Sequence, residues 1–158
     1  MGYSMVDIYY PKDFLTPGPS WPDWLKREFL EADDNGHVGM ELLSETGQVR
    51  VWFILLKPCD RLPAHKHVLN YVWIVTHPGK GRSHYHNGEE HEKVYTLGQA
   101  VHHSYETGQF MMHDLENIGE TNLGFITVEF LDSPNPALLL KACDELPKHD
   151  VNASTSHS

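Results

Sequence analysis

The stretch Leu62-Pro-Ala-His65-Lys-His67-Val-Leu-Asn70-Tyr71-Val-Trp73-Ile-Val75 decides how the chain is read. Its second half is β-branched and aromatic, the composition of a strand. In extended backbone, residues i and i+2 share a face at about 3.3 Å per residue, so His65 and His67 stand side by side, about 7 Å apart at Cα. Two imidazoles so placed can converge on one metal ion at nitrogen-to-metal distances of about 2.0–2.2 Å. A stable site then needs a third ligand from elsewhere in the sheet.

Outward from this stretch, short apolar runs recur between residues 38 and 131: Gly39–Leu43, Val49–Leu56, Tyr71–Val75, Val94–Tyr95, Phe110–Met112 and Gly124–Leu131. Turn formers separate them at Thr46-Gly47, Lys57-Pro58, Pro78-Gly-Lys-Gly81, Asn87-Gly88, Thr107-Gly108 and Gly119-Glu-Thr-Asn122. Many short strands with frequent turns indicate an all-β sandwich or barrel. Asn87-Gly88 reads as a two-residue type I′ hairpin, which needs positive φ at both central positions.

The flanks are simpler. Residues 1–37 form an arm with one short helix within Ser20–Glu31, capped by Ser20, with Pro22 in the first turn and Trp24, Leu25, Glu28 and Phe29 at helical spacing. That helix is expected to pack by its aromatic residues on the sheet. The barrel is expected over 38–133 and a short helix or edge segment within 134–147, with a disordered polar tail over 148–158.

Composition narrows the function. The 158 residues suffice for about one domain. No apolar run reaches the roughly 20 residues of a membrane helix. A formal charge of -10 argues against nucleic acid as a partner. There is no basic-then-apolar leader, and two cysteines, Cys59 and Cys143, are too few for a disulfide framework, so the cytoplasm is the expected compartment. Histidine is the outlier at 12 residues, most of them between positions 65 and 113, and it is the commonest metal ligand.

His113 is the best third ligand. Alternation along Gln109–Asn117 sets Met111, His113 and Leu115 on one face and Met112, Asp114 and Glu116 on the other. The first face is apolar apart from one imidazole, and the second is expected to turn its acids to water. Alone, His113 reads as a hydrogen-bonded core histidine; beside His65-x-His67 it reads as a ligand. His84 and His86 form a second His-x-His, read as a solvated hairpin tip beside the acidic run Glu89-Glu90-His91-Glu92. Of the adjacent His102 and His103, only one can face inward. Gly-x-Gly-x-x-Gly, Walker, His-Glu-x-x-His and Cys-x-x-Cys patterns are absent.

A strand-borne His-x-His followed about 45 residues later by His-x3-Asn resembles the cupin superfamily. Its first motif reads Gly-x5-His-x-His-x3or4-Glu-x6-Gly. Cys59 takes the first Gly slot, His65 and His67 match, and Tyr71 or Val72 falls on the Glu slot, with Gly79 in register for Val72. The second reads Gly-x5-Pro-x-Gly-x2-His-x3-Asn. His113 and Asn117 match, whereas Gly108 and Phe110 occupy the Pro and second Gly slots.

The resemblance implies a double-stranded β-helix (jelly-roll) barrel with a metal held by His65, His67 and His113. The missing glutamate makes it similar to the three-histidine subset, which includes thiol and β-diketone dioxygenases. The implied reading is a mononuclear Fe(II) dioxygenase of a small anionic or chelating substrate. Tyr71 is the candidate catalytic residue, and Trp73, Met111, Leu115 and His103 are candidates for the pocket wall. Two alternatives stay open: a non-redox Zn, Ni or Mn lyase or isomerase, and a non-catalytic small-ligand binder. The aromatic arm (Tyr9, Tyr10, Phe14, Trp21, Trp24) suggests a homodimer.

Overall fold

The computed structural model describes residues 13–141. Tyr9, Tyr10, Cys143 and the expected tail lie outside them. One helix, α1 (Asp23–Glu31), precedes nine strands: β1 (Glu41–Glu45), β2 (Val49–Leu56), β3 (Arg61–His67), β4 (Asn70–His77), β5 (Gly79–His84), β6 (Glu90–Tyr95), β7 (Ala100–His103), β8 (Met111–Asn117) and β9 (Leu123–Phe130). They form two antiparallel sheets, ordered β1-β2-β9-β4-β7 and β3-β8-β5-β6. Residues 137–141 form no regular element. No helix among the described residues is long and apolar enough to cross a membrane.

Strict alternation along β2 sends Trp52, Ile54 and Leu56 inward. Ile54 and Leu56 meet Leu62, Val75, Tyr95, Leu115, Leu123 and Phe125 between the sheets. In β3 the register shifts between Leu62 and His65. This bulge lets two residues three apart both face the interior, which plain alternation forbids. The histidine pair therefore lies on the same wall as the apolar core.

The Pro78–Gly81 cluster, expected as a turn, begins β5 instead. A Cβ on Gly81 would lie 2.9 Å from Leu115 Cδ1, so the glycine serves close packing within the strand. The Asn87-Gly88 hairpin also differs from expectation: among the described residues of that loop only Gly88 has positive φ, at 93°. Gly88 N–H donates to Tyr85 O at 2.8 Å and Tyr85 N–H to Glu89 O at 2.9 Å, giving a three-residue loop with the glycine as its left-handed member.

The arm covers the outer face of the four-stranded sheet. Trp21, Leu25, Phe29 and Ala32 pack with Ala64 and Met112, joined by Phe14 and Phe110. Ser20 does not cap α1; Pro22 holds that position and offers no side-chain bond. Trp24, expected to pack on the sheet, is 52% exposed, one position off the Leu25/Phe29 stripe. Trp21 and Phe14 are used on their own barrel, which reduces the aromatic surplus that suggested a partner.

The link from β2 to β3 is a tight turn in which Asp60 N–H donates to Lys57 O at 2.9 Å. Pro58 is its first central residue, and Cys59 takes φ 76° at the second. That is the glycine position of a type II turn. Cys59→Gly is expected to raise stability by about 1 kcal/mol by removing the Cβ penalty. Denaturant unfolding checks it, and an unchanged or lower midpoint counts against it.

Candidate metal centre

His65 and His113 are direct partners across β3 and β8, and His67 follows two residues on. One ring nitrogen from each lies within 4.8 Å of the others. His67 Nε2 and His113 Nε2 are 3.2 Å apart. That matches the roughly 3 Å between neighbouring ligands bound at about 2.1 Å and near a right angle. His65 Nδ1–H donates to Pro63 O at 2.8 Å, which leaves its Nε2 lone pair for an ion. Among the described residues, the Nδ1 atoms of His67 and His113 are buried without a partner.

Burial is the first cause of low basicity at all three. It lowers His65 to about 4 against the lift from the Pro63 bond. His67 is held well below the ordinary range by burial and then by His65 and His113, and His113 by burial and then by His65. All three are neutral imidazoles at pH 7, the form that binds metal. The donor set fits a divalent ion.

A cavity of about 50 Å³ opens beside His65 and His113, walled by Tyr71, Trp73, Leu115, Phe125 and Thr127 among others. Of the residues proposed for a pocket wall, Trp73 and Leu115 line this cavity, and Met111 and His103 do not. Tyr71 lies flat on His67, with centroids 4.1 Å apart and planes 15° apart. His103 stacks on Tyr71 at 4.8 Å, while His102 faces solvent. Burial, followed by the neighbouring Tyr105, pushes the Tyr71 phenol well above its ordinary value.

No family model matches the chain, and no curated protein matches it. Solved structures do. A cupin domain from Bordetella pertussis is 18% identical at TM-score 0.50, over 57% of this chain and 88% of its own. A double-stranded β-helix protein from Klebsiella pneumoniae is 18% identical at TM-score 0.47, over 82% and 90%. An RmlC-like cupin from Methanocaldococcus jannaschii is 22% identical at TM-score 0.46, over 57% and 76%. The chain has the cupin fold.

The cupin motif positions now have physical content. Cys59 sits in left-handed backbone where the motif has glycine. Asn117, the second-motif asparagine, donates from Nδ2 to Leu56 O at 2.9 Å and to Thr121 O at 2.8 Å and so ties down the turn beyond β8. Tyr71 occupies the glutamate slot as a ring stacked on a histidine.

Two acids were misread or missed. Asp114, expected in water, is 0% exposed because the arm covers that face. It accepts from His84 N–H at 2.6 Å, from His84 Nδ1 and from Arg61. Burial alone would raise its pKa, but the bonds from His84 and then Arg61 bring it below the ordinary carboxylate value. The hairpin carrying His84 and His86 is accordingly no solvated tip: His86 N–H donates to Met112 O at 3.0 Å, and the arm's Thr16 N–H donates to His86 O at 2.9 Å. Glu129, unremarked in the sequence, shares the inward face of β9 with Phe125 and Thr127 and is buried. The parity of β9 was the available signal.

Proposed function

We propose that the chain is a metal-dependent cupin enzyme, a mononuclear non-haem iron dioxygenase acting on a small anionic or chelating organic molecule. The observation carrying this reading is three neutral imidazoles converging beside a cavity whose wall, among the described residues, holds no carboxylate. His65, His67 and His113 would hold the ion, and ferrous iron there supplies a full 2+ charge and O2 activation. Because no ligand cancels that charge, the site favours an anionic substrate.

The chain's own residues set the rest. The Pro63 carbonyl fixes the His65 tautomer, and Tyr71 braces the His67 ring. Trp73, Leu115 and Phe125 give the cavity an apolar wall, which strengthens electrostatics beside it. A volume of about 50 Å³ limits the buried part of a substrate to a few heavy atoms. Tyr71 and Tyr95 in the wall are held protonated by burial and serve as donors. The wall offers no carboxylate pair for acid and base work, which favours oxidation over lyase or hydrolase chemistry.

The test is metal analysis of protein purified without chelator, then O2 uptake with thiols, β-diketones and hydroxyketones. Iron bound at this site and substrate-dependent O2 uptake are expected. Turnover by metal-free protein, or under strict anaerobiosis, rejects the proposal.

A further inference from the structure

One row of side chains crosses all five strands of the larger sheet. Strand register sets Glu45 opposite Arg50, Arg50 opposite Glu129, Glu129 opposite Tyr71, and Tyr71 opposite His103. Neighbours in such a row have Cβ atoms about 4.5–5.5 Å apart. Glu129, the middle member, is 3% exposed. Its Oε1 accepts from Trp52 Nε1–H at 2.8 Å, and among the described residues no donor reaches Oε2. The adjacent guanidinium is engaged elsewhere: Arg50 Nε binds Glu45 Oε2 at 2.8 Å, and Nη1 binds Leu138 O at 3.2 Å. This buried carboxyl stands next to Tyr71 and one inward position beyond Thr127. Both of those residues line the cavity.

We propose that Glu129 is the proton acceptor of this site, taking the proton that a hydroxyl-type chelating ligand gives up as it binds. The ligand's O–H bond breaks, a new O–H bond forms on the Glu129 carboxylate, and the ligand stays as the anion. No electrons move. The substrate class is thereby narrowed to small molecules whose chelating group is a weak acid in its free form. The inference rests on the metal-site reading above. Burial, relieved by Trp52 and Arg50, raises the Glu129 carboxyl to about 7, poised to hold or release a proton near neutrality. The groups facing it are Trp52 and Arg50 on β2, Tyr71 on β4, and Glu45 beyond Arg50. His37 edges the Trp52 ring at 5.6 Å.

The test uses zinc-loaded protein, which is redox-silent, and acetohydroxamic acid as probe, with calorimetry at pH 8 in buffers of different ionisation enthalpy. The bound anion beside Glu129 raises its proton affinity above that of the ligand-free protein, so the wild type is expected to release clearly less than one proton per ligand, whereas Glu129→Gln, which preserves an acceptor for Trp52, releases about one. Equal release from both proteins overturns the inference while leaving the metal reading intact. A wild type that takes up neither zinc nor probe instead overturns the metal reading, and this inference with it. As a second measurement, ¹³C carboxyl shifts of the metal-free wild type are expected to show one glutamate titrating near neutrality. Its absence also overturns the inference.

Discussion

Replacing His113 with alanine is expected to weaken divalent-metal binding by more than the roughly 10–100-fold that loss of an outer-shell partner costs. It should also abolish the metal-dependent rise in unfolding temperature. His113 supplies the nitrogen 3.2 Å from His67 Nε2 and is the direct cross-strand partner of His65, so its removal leaves two ligands on one strand. His102→Ala, at a solvent-facing ring, is the matched control and should bind as the wild type does. Competition with a chromophoric chelator reads the affinity. Equal affinity in both variants would remove the basis for a three-histidine centre.

The same burial makes the metal-free protein acid-sensitive. Each of the three histidines binds a proton more weakly folded than unfolded, so the unfolded chain takes up more protons below the ordinary histidine value. Stability is therefore full above about pH 6.5 and falls as pH drops toward the folded values. His65, held at about 4, accounts for about 3 kcal/mol over that window. His84, raised chiefly by its bond to Asp114, and Glu129, raised to about 7 by burial, act in the opposite sense, and the three buried imidazoles are expected to outweigh them. Denaturant unfolding of chelator-treated protein between pH 7 and pH 4.5 checks the sign. His113→Ala should lose less on acidification than the wild type, since one buried imidazole is gone.

Much of this site was legible in the sequence because its signals are local and periodic. His-x-His on an extended run forces two rings onto one face, and the alternation through Met111, His113 and Leu115 puts the third ring with them. The β2 limits, Val49–Leu56, coincide with the apolar run that marked them. Reading failed where tertiary cover changed what a face meets. Polar residues opposite an apolar stripe usually face water, but the arm lies over β8, and Asp114 is sealed under it. Strand β7 (Ala100–His103) has little apolar content to mark it, because its neighbour in the sheet supplies the burial. Parity groups Glu129 with Phe125 and Thr127, but both faces of β9 carry apolar residues, so that signal did not mark theirs as the inner face. The Gly-rich start of β5 looked like a turn because glycine serves both tight turns and close packing, and sequence alone does not separate them.

Removing the Arg61 side chain is expected to cost about 3–5 kcal/mol, the range for breaking one partner out of a buried ion pair. Its guanidinium holds Asp114 Oδ2 at 2.8 Å from Nη2 and 3.2 Å from Nε, while Nη1 binds Glu28 Oε1 of α1 at 3.0 Å. Glu28 Oε2 also accepts from Ala64 N–H at 2.9 Å, and the guanidinium lies over the Trp24 ring at 5.0 Å. In Arg61→Ala, Asp114 keeps His84 as its one partner among the described residues, inside a face closed by Trp21 and Met112. Most of the cost is the stranded carboxylate, so Arg61→Ala combined with Asp114→Asn should be less destabilised than the sum of the single variants, a coupling that a double-mutant cycle reads directly. Additive losses would mean that the pair is not the source. The sign with pH follows from the lowered Asp114 value: its contribution is present above the ordinary aspartate pKa and lost as pH falls through the folded one. Because Asp114 follows His113 along β8 and faces the opposite way, the network that seats the arm also fixes the strand carrying the third histidine. Arg61→Ala should therefore lower metal affinity as well as stability, though by less than His113→Ala, since all three nitrogens remain. Full retention of metal affinity would show that the arm stabilises the barrel without holding the centre in place.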